Sequence, residues 1–457
     1  MRSDSDVLVI GAGISGLTAA YELQRRGLRV LVVEAAERAG GVIATVRENG
    51  FLYERGPNSI LDTSPRIGAL LDALGIRGER VEMHAAAARR YVLKHGRLVA
   101  LPMSPPAFLA TPLFSLRGKL QLLREPFVAA AHGEESIADF VRRRLGSEFL
   151  DYAVEPFVAG IYAGNPDELS VQAAFPRLYA LEQAYGSLIK GQIGGTRERK
   201  ARGEPAKNIA KSFSFREGVQ TLTDALAARV EVHTAHRAAA LHAAGGEGIR
   251  VDIQSRNGGL EVHARAVVAA VPASAAGDLV LPLAPDAAVA LNEIPYAPVA
   301  SVARAYRREQ ISHPLDGFGF LAPRVERRRI LGCLFSSSTF EARAPAGHVL
   351  LTTFVGGQRN PDLARGTTDE IDRTVSDELS VLLGASGPAE LSVVTQWPRA
   401  IPQYTMGHLE RLRRAAAAEE AMRGLFLSGA YRGGVAVGDC IASAYKTAER
   451  VEAYFRS

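Results

Sequence analysis

Cysteine is nearly absent. Cys333 and Cys440 are the only two among 457 residues, which excludes a disulfide-built scaffold and a zinc-finger protein, leaves room for a single disulfide, and suits a reducing cytoplasm. Long runs of one charge are missing as well. The chain holds 54 Lys and Arg against 49 Asp and Glu, a net charge of +5, without the clustered basic stretch of a nucleic-acid binder, so no nucleic-acid partner is expected. No apolar stretch reaches the ~20 residues that cross a bilayer. The run from Val7 to Ala20 is glycine-rich and ends at Tyr21-Glu22, and the alanine-rich stretch from Ala266 to Leu291 contains three prolines and two aspartates. The opening Met1-Arg2-Ser3-Asp4-Ser5-Asp6 carries two acids and makes a poor secretory leader. There is no H-E-x-x-H, no cysteine pair at zinc spacing and no nucleophile elbow, and the histidines are scattered, so neither a metal site nor a hydrolytic site is expected. At 47% apolar and 23% charged residues, what remains is an ordinary globular chain of two or three domains.

What is present concentrates in the first forty residues. Asp6-Val7-Leu8-Val9-Ile10 reads as a buried parallel strand, Ser15 to Arg26 as a helix stopped by Gly27, and Leu28 to Val33 as a second strand. Between the first strand and the helix stands Gly11-Ala12-Gly13-Ile14-Ser15-Gly16, a G-x-G-x-x-G in βαβ context. Gly11 permits the tight turn, Gly13 lets backbone approach a pyrophosphate, and Gly16 lets helix and strand pack closely. The helix start then offers unpaired N–H groups to phosphates. Glu34 ends the second strand, where a carboxylate accepts hydrogen bonds from an adenosine ribose and repels a 2′-phosphate. The expected fold class is α/β with a Rossmann-type dinucleotide-binding domain.

Glu34-Ala35-Ala36-Glu37-Arg38-Ala39-Gly40-Gly41-Val42 continues this unit as E-x(3)-R-x-G-G, and Glu54-Arg55-Gly56-Pro57-Asn58-Ser59 follows. With these residues the sequence resembles the FAD-dependent amine oxidase superfamily and, within it, the protoporphyrinogen oxidases. The likeness extends through Pro156-Phe157-Val158-Ala159-Gly160-Ile161-Tyr162-Ala163-Gly164-Asn165, Gly186-Ser187, Trp397 with Ile401-Pro402-Gln403-Tyr404, and the glycine-rich block from Gly424 to Ile441. The resemblance implies a non-covalent FAD held by Gly11, Ala12, Gly13, Ile14, Ser15, Gly16, Glu34, Ala35, Arg38, Gly40, Gly41 and Val42. Gly56, Pro57, Asn58, Ser59, Trp397, Val435, Ala436 and Val437 complete that set. Gly433, Gly434 and Gly438 are read as letting backbone approach a planar ring, with the helix that starts near Val437 turning its positive end toward it. Asp439 is expected as a first-turn helix charge and Cys440 as a packing residue.

The activity this resemblance implies is an oxygen-dependent, six-electron oxidation of protoporphyrinogen IX to protoporphyrin IX. Three hydride transfers to the flavin would release hydrogen peroxide, with no catalytic residue needed beyond the flavin. Coproporphyrinogen III oxidases share the fold and motifs and stand as the alternative; an amine oxidase or a carotenoid desaturase is more distant. A cofactor-free binding protein on the same fold would predict a degraded glycine motif, which is intact here. Arg90 matches the family arginine that pairs with a propionate, and Arg89 is its confusable neighbour. Asn58 matches a polar position beside the flavin. Leu321, Leu334 and Phe354 match positions lining the substrate groove, and the backbone near Gly160 is placed at the pyrrole nitrogens. The substrate part, of α+β character, is expected to carry its own sheet.

The resulting division assigns 1–85 to a first part of the FAD domain, 86–101 and 290–405 to the substrate domain, 102–205 to a helical insertion, and 206–289 and 406–457 to the remaining FAD-domain parts. Within the insertion, Phe108, Leu109, Leu113 and Phe114 stand among Pro102, Pro105, Pro106 and Pro112, with Arg117, Lys119 and Arg124 beyond. These are expected to touch the inner face of the cell membrane, the alternatives being a cover over the substrate entrance or a homodimer contact. Gly194 to Asn208 reads as an exposed loop. Product handover to a ferrochelatase-type enzyme is the remaining partner expectation.

Overall fold

The computed structural model describes residues 4–131, 133–192, 194, 211–244 and 248–457. The expected loop after Gly194 lies outside the described residues. Two seven-stranded sheets organise the rest.

The first sheet is built on the N-terminal βαβ unit. Asp4–Ile10 pairs in parallel with Val30–Val33 on one side and with Gly258–Ala269 on the other. Glu231–His233 and Leu425–Leu427 add further parallel strands, while His236–Ala243 and Ile249–Ser255 extend Gly258–Ala269 as an antiparallel meander. Val7, Leu8 and Val9 are fully buried, as a strand covered on both faces requires. The helix Ile14–Arg25 packs beside the C-terminal helix Val437–Arg456 on one face. The helices Ala273–Val280 and Pro285–Asn292 cover the other, together with His408–Ala421. The parallel strands all end at one edge, and that edge carries Gly11 and Glu34.

The second sheet runs in the order Leu391–Pro402, Tyr296–Arg307, His348–Gly356, Ile330–Leu334, Gly319–Leu321, Arg90–Lys94, Arg97–Ala100. The helix Thr368–Leu383 seals one of its faces, with Ile371, Val375 and Leu379 fully buried in the same core as Tyr91, Phe320 and Cys333. The two twelve-residue strands Tyr296–Arg307 and Leu391–Pro402 were not legible in the sequence. The first is buried almost throughout, so it shows no alternation, and it is rich in alanine rather than in β-branched residues.

Between residues 105 and 192 the chain forms short helices. They are pinned by an ion cluster without solvent access: Arg144 pairs with Glu125 and Glu182, and Glu125 also accepts hydrogen bonds from the Ser187 hydroxyl and the Leu188 N–H. Residues 102–127 correct the sequence reading. Pro105–Ala110 and Leu116–Leu122 are helical, and Leu113 and Phe114 are buried. Phe114 stacks on Phe149 at 4.2 Å, and Phe108 packs against both. Of the four apolar residues expected at the surface only Leu109 is exposed; Met103, Leu116, Leu120, Leu123 and Phe127 reach solvent beside it. No helix among the described residues is long and apolar enough to cross a membrane.

Candidate functional site

The three motif glycines stand in different surroundings. Gly11 has φ +100°, and a Cβ there would press on the Ala270 carbonyl; a Cβ on Gly16 would collide with the Gly11 carbonyl. Both are demanded by the fold. Gly13 faces open space, with nothing within 4 Å of a Cβ, so protein packing gives no reason for glycine there and a close ligand does. The helix Ile14–Arg25 has no side-chain cap and no acid in its first turn, which leaves its N–H groups and positive end for an anion. The surroundings of Gly13 therefore fit a dinucleotide pyrophosphate.

The rest of the cradle is held by backbone. Glu34 accepts from the Ala12 N–H at 2.7 Å and from the Ala36 N–H at 2.8 Å, and its oxygens keep lone pairs for ribose hydroxyls. The Ala12 carbonyl takes the Gly40 N–H at 2.8 Å. Arg38 donates to the carbonyls of Ala39, Gly41 and Ile43, so it shapes the Gly40-Gly41 turn. The chain then passes so close to itself that a Cβ on Gly56 would strike the Val42 carbonyl. Val42 itself is exposed, and Pro57, Asn58 and Ser59 follow half-buried.

Trp397 joins this cradle from the second sheet. Its indole N–H donates to the Arg55 carbonyl at 2.8 Å, one residue before Gly56-Pro57-Asn58, and the ring stays half-open instead of entering a core. Val435 and Ala436 lead into the helix Val437–Arg456, whose N-cap Ala436 gives no side-chain bond. Here the glycines differ from expectation. A Cβ on Gly433 would meet Ser443, one on Gly434 would meet Asp439, and one on Gly438 would meet the Leu61 carbonyl; the protein's own chain already requires glycine at each. Asp439 does lie in the first helical turn, burial raising its carboxyl above the ordinary value against an opposing Ala436 backbone hydrogen bond. Cys440 and Cys333 are buried free thiols, and burial pushes them up to about 11 and about 12.

Sequence reading missed the brace of this wall. Tyr404 donates its hydroxyl to the Ala430 carbonyl and accepts the Gly434 N–H at 2.9 Å. Its ring stacks on buried His408 at 4.3 Å, and His408 Nε2 bonds the Tyr431 carbonyl at 2.9 Å. The only sequence signal was Tyr404 at the end of Ile401-Pro402-Gln403-Tyr404, a motif that points to Trp397 alone.

Strand register assembles the groove. Arg90 pairs with Gly319, Gly319 with Leu334, and Leu334 with Thr352. In the next row, Leu321 pairs with Gly332 and Gly332 with Phe354. Since side chains alternate along a strand, Arg90, Leu321, Leu334 and Phe354 share one face, opposite the face sealed by Thr368–Leu383. Leu321, Leu334 and Phe354 are only half-buried among otherwise buried strand neighbours. Gly160, on the helix Glu155–Tyr162, comes so near that a Cβ would sit 3.0 Å from Leu321 Cδ2. Asn58, Ser59, Phe318, Leu334 and Thr352 line one cleft between cradle and sheet.

The two neighbouring arginines separate cleanly. Arg89 is bound to Asp316, which also takes the Tyr91 hydroxyl. Arg90 lies over the Phe318 ring at 5.5 Å and has no carboxylate partner among the described residues. It is a half-buried cation on an apolar face, which suits an anionic substituent of a flat or hydrophobic ligand.

Known proteins resemble this chain over its whole length. The sequence profile of flavin containing amine oxidoreductases matches residues 14–452. Protoporphyrinogen oxidase 2 of Arabidopsis thaliana is 34% identical, over 100% of this chain and 95% of its own length. Coproporphyrinogen III oxidase of Bacillus subtilis is 28% identical, over 95% of each. A crystal structure from Exiguobacterium sp. 255-15, provisionally assigned as a protoporphyrinogen oxidase, superposes with a TM-score of 0.82 at 26% identity and covers 99% of both chains.

Proposed function

The chain belongs to the flavin containing amine oxidoreductase family, and on that footing we propose that it oxidises protoporphyrinogen IX to protoporphyrin IX, an FAD-dependent, oxygen-consuming step of porphyrin synthesis. The observation that carries the reading is the unpartnered Arg90 on a half-open apolar face beside the dinucleotide cradle; full-length likeness to the Arabidopsis oxidase supports it. Bound FAD supplies the two-electron acceptor that dioxygen restores with release of peroxide. The protein's part is positional. Arg90 holds a propionate, Leu334, Leu321 and Phe354 bear on the macrocycle, and the Gly160 backbone faces the pyrrole nitrogens. Asn58 bounds the cleft where the macrocycle meets the flavin, and Trp397, held on the Arg55 carbonyl, bears on the flavin. The protein is to be assayed with protoporphyrinogen IX and with coproporphyrinogen III, following the fluorescence gained on aromatisation. Preference for the first substrate supports the proposal; preference for the four-carboxylate substrate replaces it with the coproporphyrinogen reading.

We further propose that the insertion rests on an anionic membrane. Met103, Leu109, Leu116, Leu120 and Leu123 surround an apolar cavity of about 730 Å³ beside Lys119, and Phe127 stands exposed near the Lys190 ammonium. Such a surface favours delivery of a hydrophobic porphyrinogen and passage of the product to a ferrochelatase-type enzyme. Wild type should float with anionic vesicles, and Leu109→Asp with Leu123→Asp should leave the protein in the soluble fraction with its FAD. If the double variant still floats, this surface is not the contact; a dimer that this double variant dissociates would mark it as a homodimer contact. We propose in addition that 1–85, 206–289 and 406–457 form the FAD domain, 86–101 and 290–405 the substrate domain, and 102–205 the insertion.

A further inference from the structure

One buried carboxylate links three of the segments that carry candidate groove residues, those of Gly160, Leu321 and Phe354. Glu155 opens the helix bearing Gly160 and is 7% exposed. Its Oε1 accepts from Arg359 Nη2 at 2.6 Å, and its Oε2 accepts the Arg324 N–H at 2.9 Å. Arg359 lies five residues beyond Phe354, and its Nη1 donates to the carbonyl of Ala322, next to Leu321, at 2.7 Å. The pair therefore ties the helix of Gly160 to the strand ends after Leu321 and Phe354.

Stability does not explain this arrangement, because a buried ion pair is commonly no better than an apolar pair of the same volume. Directional bonds do supply a fixed spacing. The Gly160 helix approaches Leu321 so closely that a Cβ would press on the leucine Cδ2 at 3.0 Å, and an apolar pair at 155 and 359 would let the helix slide.

We propose that Glu155, acting through Arg359, is a positioning residue that sets the width of the groove between Gly160 and the sheet, and so keeps the tetrapyrrole bound through its successive oxidations. The inference rests on the porphyrinogen reading. In each round one C–H bond of a bridging carbon would give its electron pair and hydrogen to bound flavin, one proton would leave the macrocycle, and dioxygen would take the two electrons as peroxide; over three rounds two of those protons come from pyrrole N–H groups and one from the fourth bridging carbon. The ligand must therefore be re-presented between rounds without leaving. A groove of fixed width does that for a ring that flattens as it loses hydrogen.

Glu155→Gln is the sharpest variant. Its amide must turn NH2 toward either the Arg359 guanidinium or the Arg324 N–H, both donors, so one bond is lost in either orientation. Loss of alignment is expected to raise KM and the Kd for protoporphyrin IX about ten- to hundred-fold. Flavin content, the flavin absorption spectrum and kcat should stay near wild type, and partly oxidised tetrapyrrole should appear free of enzyme. Arg359→Lys, which keeps the charge but not the reach to Ala322, should show a smaller effect of the same kind. Lowered Tm with KM and Kd within about twofold in both variants would overturn the proposal, and so would a KM rise matched by flavin loss. Should Glu155→Gln not fold, Arg359→Lys alone decides by the same readouts. If wild type oxidises neither porphyrinogen, the reading it rests on has failed; if wild type is active and the variants keep KM and Kd, only the positioning role has failed.

Discussion

The cradle and the groove are made in opposite ways. The cradle draws most of its residues from one short stretch, Gly11 to Ser59, and locks them through bonds between neighbours such as Ala12, Glu34, Ala36 and Gly40. The groove takes Arg90, Gly160, Leu321, Leu334 and Phe354 from segments more than 250 residues apart and aligns them by strand register and one buried ion pair. Local bonds make an all-or-none site. Register makes a graded one, in which single changes shift affinity and leave the fold in place.

The largest effects should come from breaking the cradle, and the glycines divide there. Gly16→Val drives a side chain into the Gly11 carbonyl, and strain well above ~3 kcal/mol should leave no soluble folded protein. Gly13→Val meets no protein atom; it should fold with a normal circular dichroism spectrum and be colourless. A yellow Gly13→Val protein would remove the pyrophosphate from that position.

Changes in the groove should be smaller. Arg90→Ala is expected to raise KM about ten- to hundred-fold with flavin content unchanged, the loss of a charge-assisted bond in a half-buried site. Arg89→Ala, which frees only a surface pair with Asp316, should stay within about twofold. Equal effects would cancel the distinction drawn between the two.

The smallest expected effect tests whether the C-terminal wall behaves as cradle. Burial pushes the His408 imidazole from 6.5 down to about 4, and its Nδ1 has no partner. The folded protein thus binds fewer protons than the unfolded chain between those values, so this contribution is fully present above pH 6.5 and is lost as pH falls toward 4. The loss is at most about 3 kcal/mol. Urea midpoints and flavin retention should fall together over that window in wild type, and less steeply in His408→Gln. An identical pH dependence in both would place the acid sensitivity elsewhere.

Legibility in the sequence followed the same divide. Gly11, Gly13, Gly16 and Glu34 could be read because turn, helix start and acid lie within one βαβ unit. Leu321, Leu334 and Phe354 could be placed only by resemblance, since which face of a strand they occupy depends on pairing that reaches back 229 residues, from Gly319 to Arg90. The segment from Pro102 to Phe127 was misread in detail for a related reason. Composition shows that it is apolar, but only packing against Phe149 decides that Phe114 turns inward and Leu109 outward. The Glu155–Arg359 pair, 204 residues apart, left no local trace at all.

The bare guanidinium of Arg90 has one more consequence, and it concerns arrival. A lone positive charge lodged against an aromatic ring and flanked by poorly polarisable walls concentrates field lines at the mouth of the groove. Dianionic molecules should be drawn in before any contact forms, and cationic ones turned away. The rate of capture should therefore fall as ionic strength rises while turnover of bound ligand holds constant, so that the protein selects its guests by charge in the approaching solution before it can select them by shape.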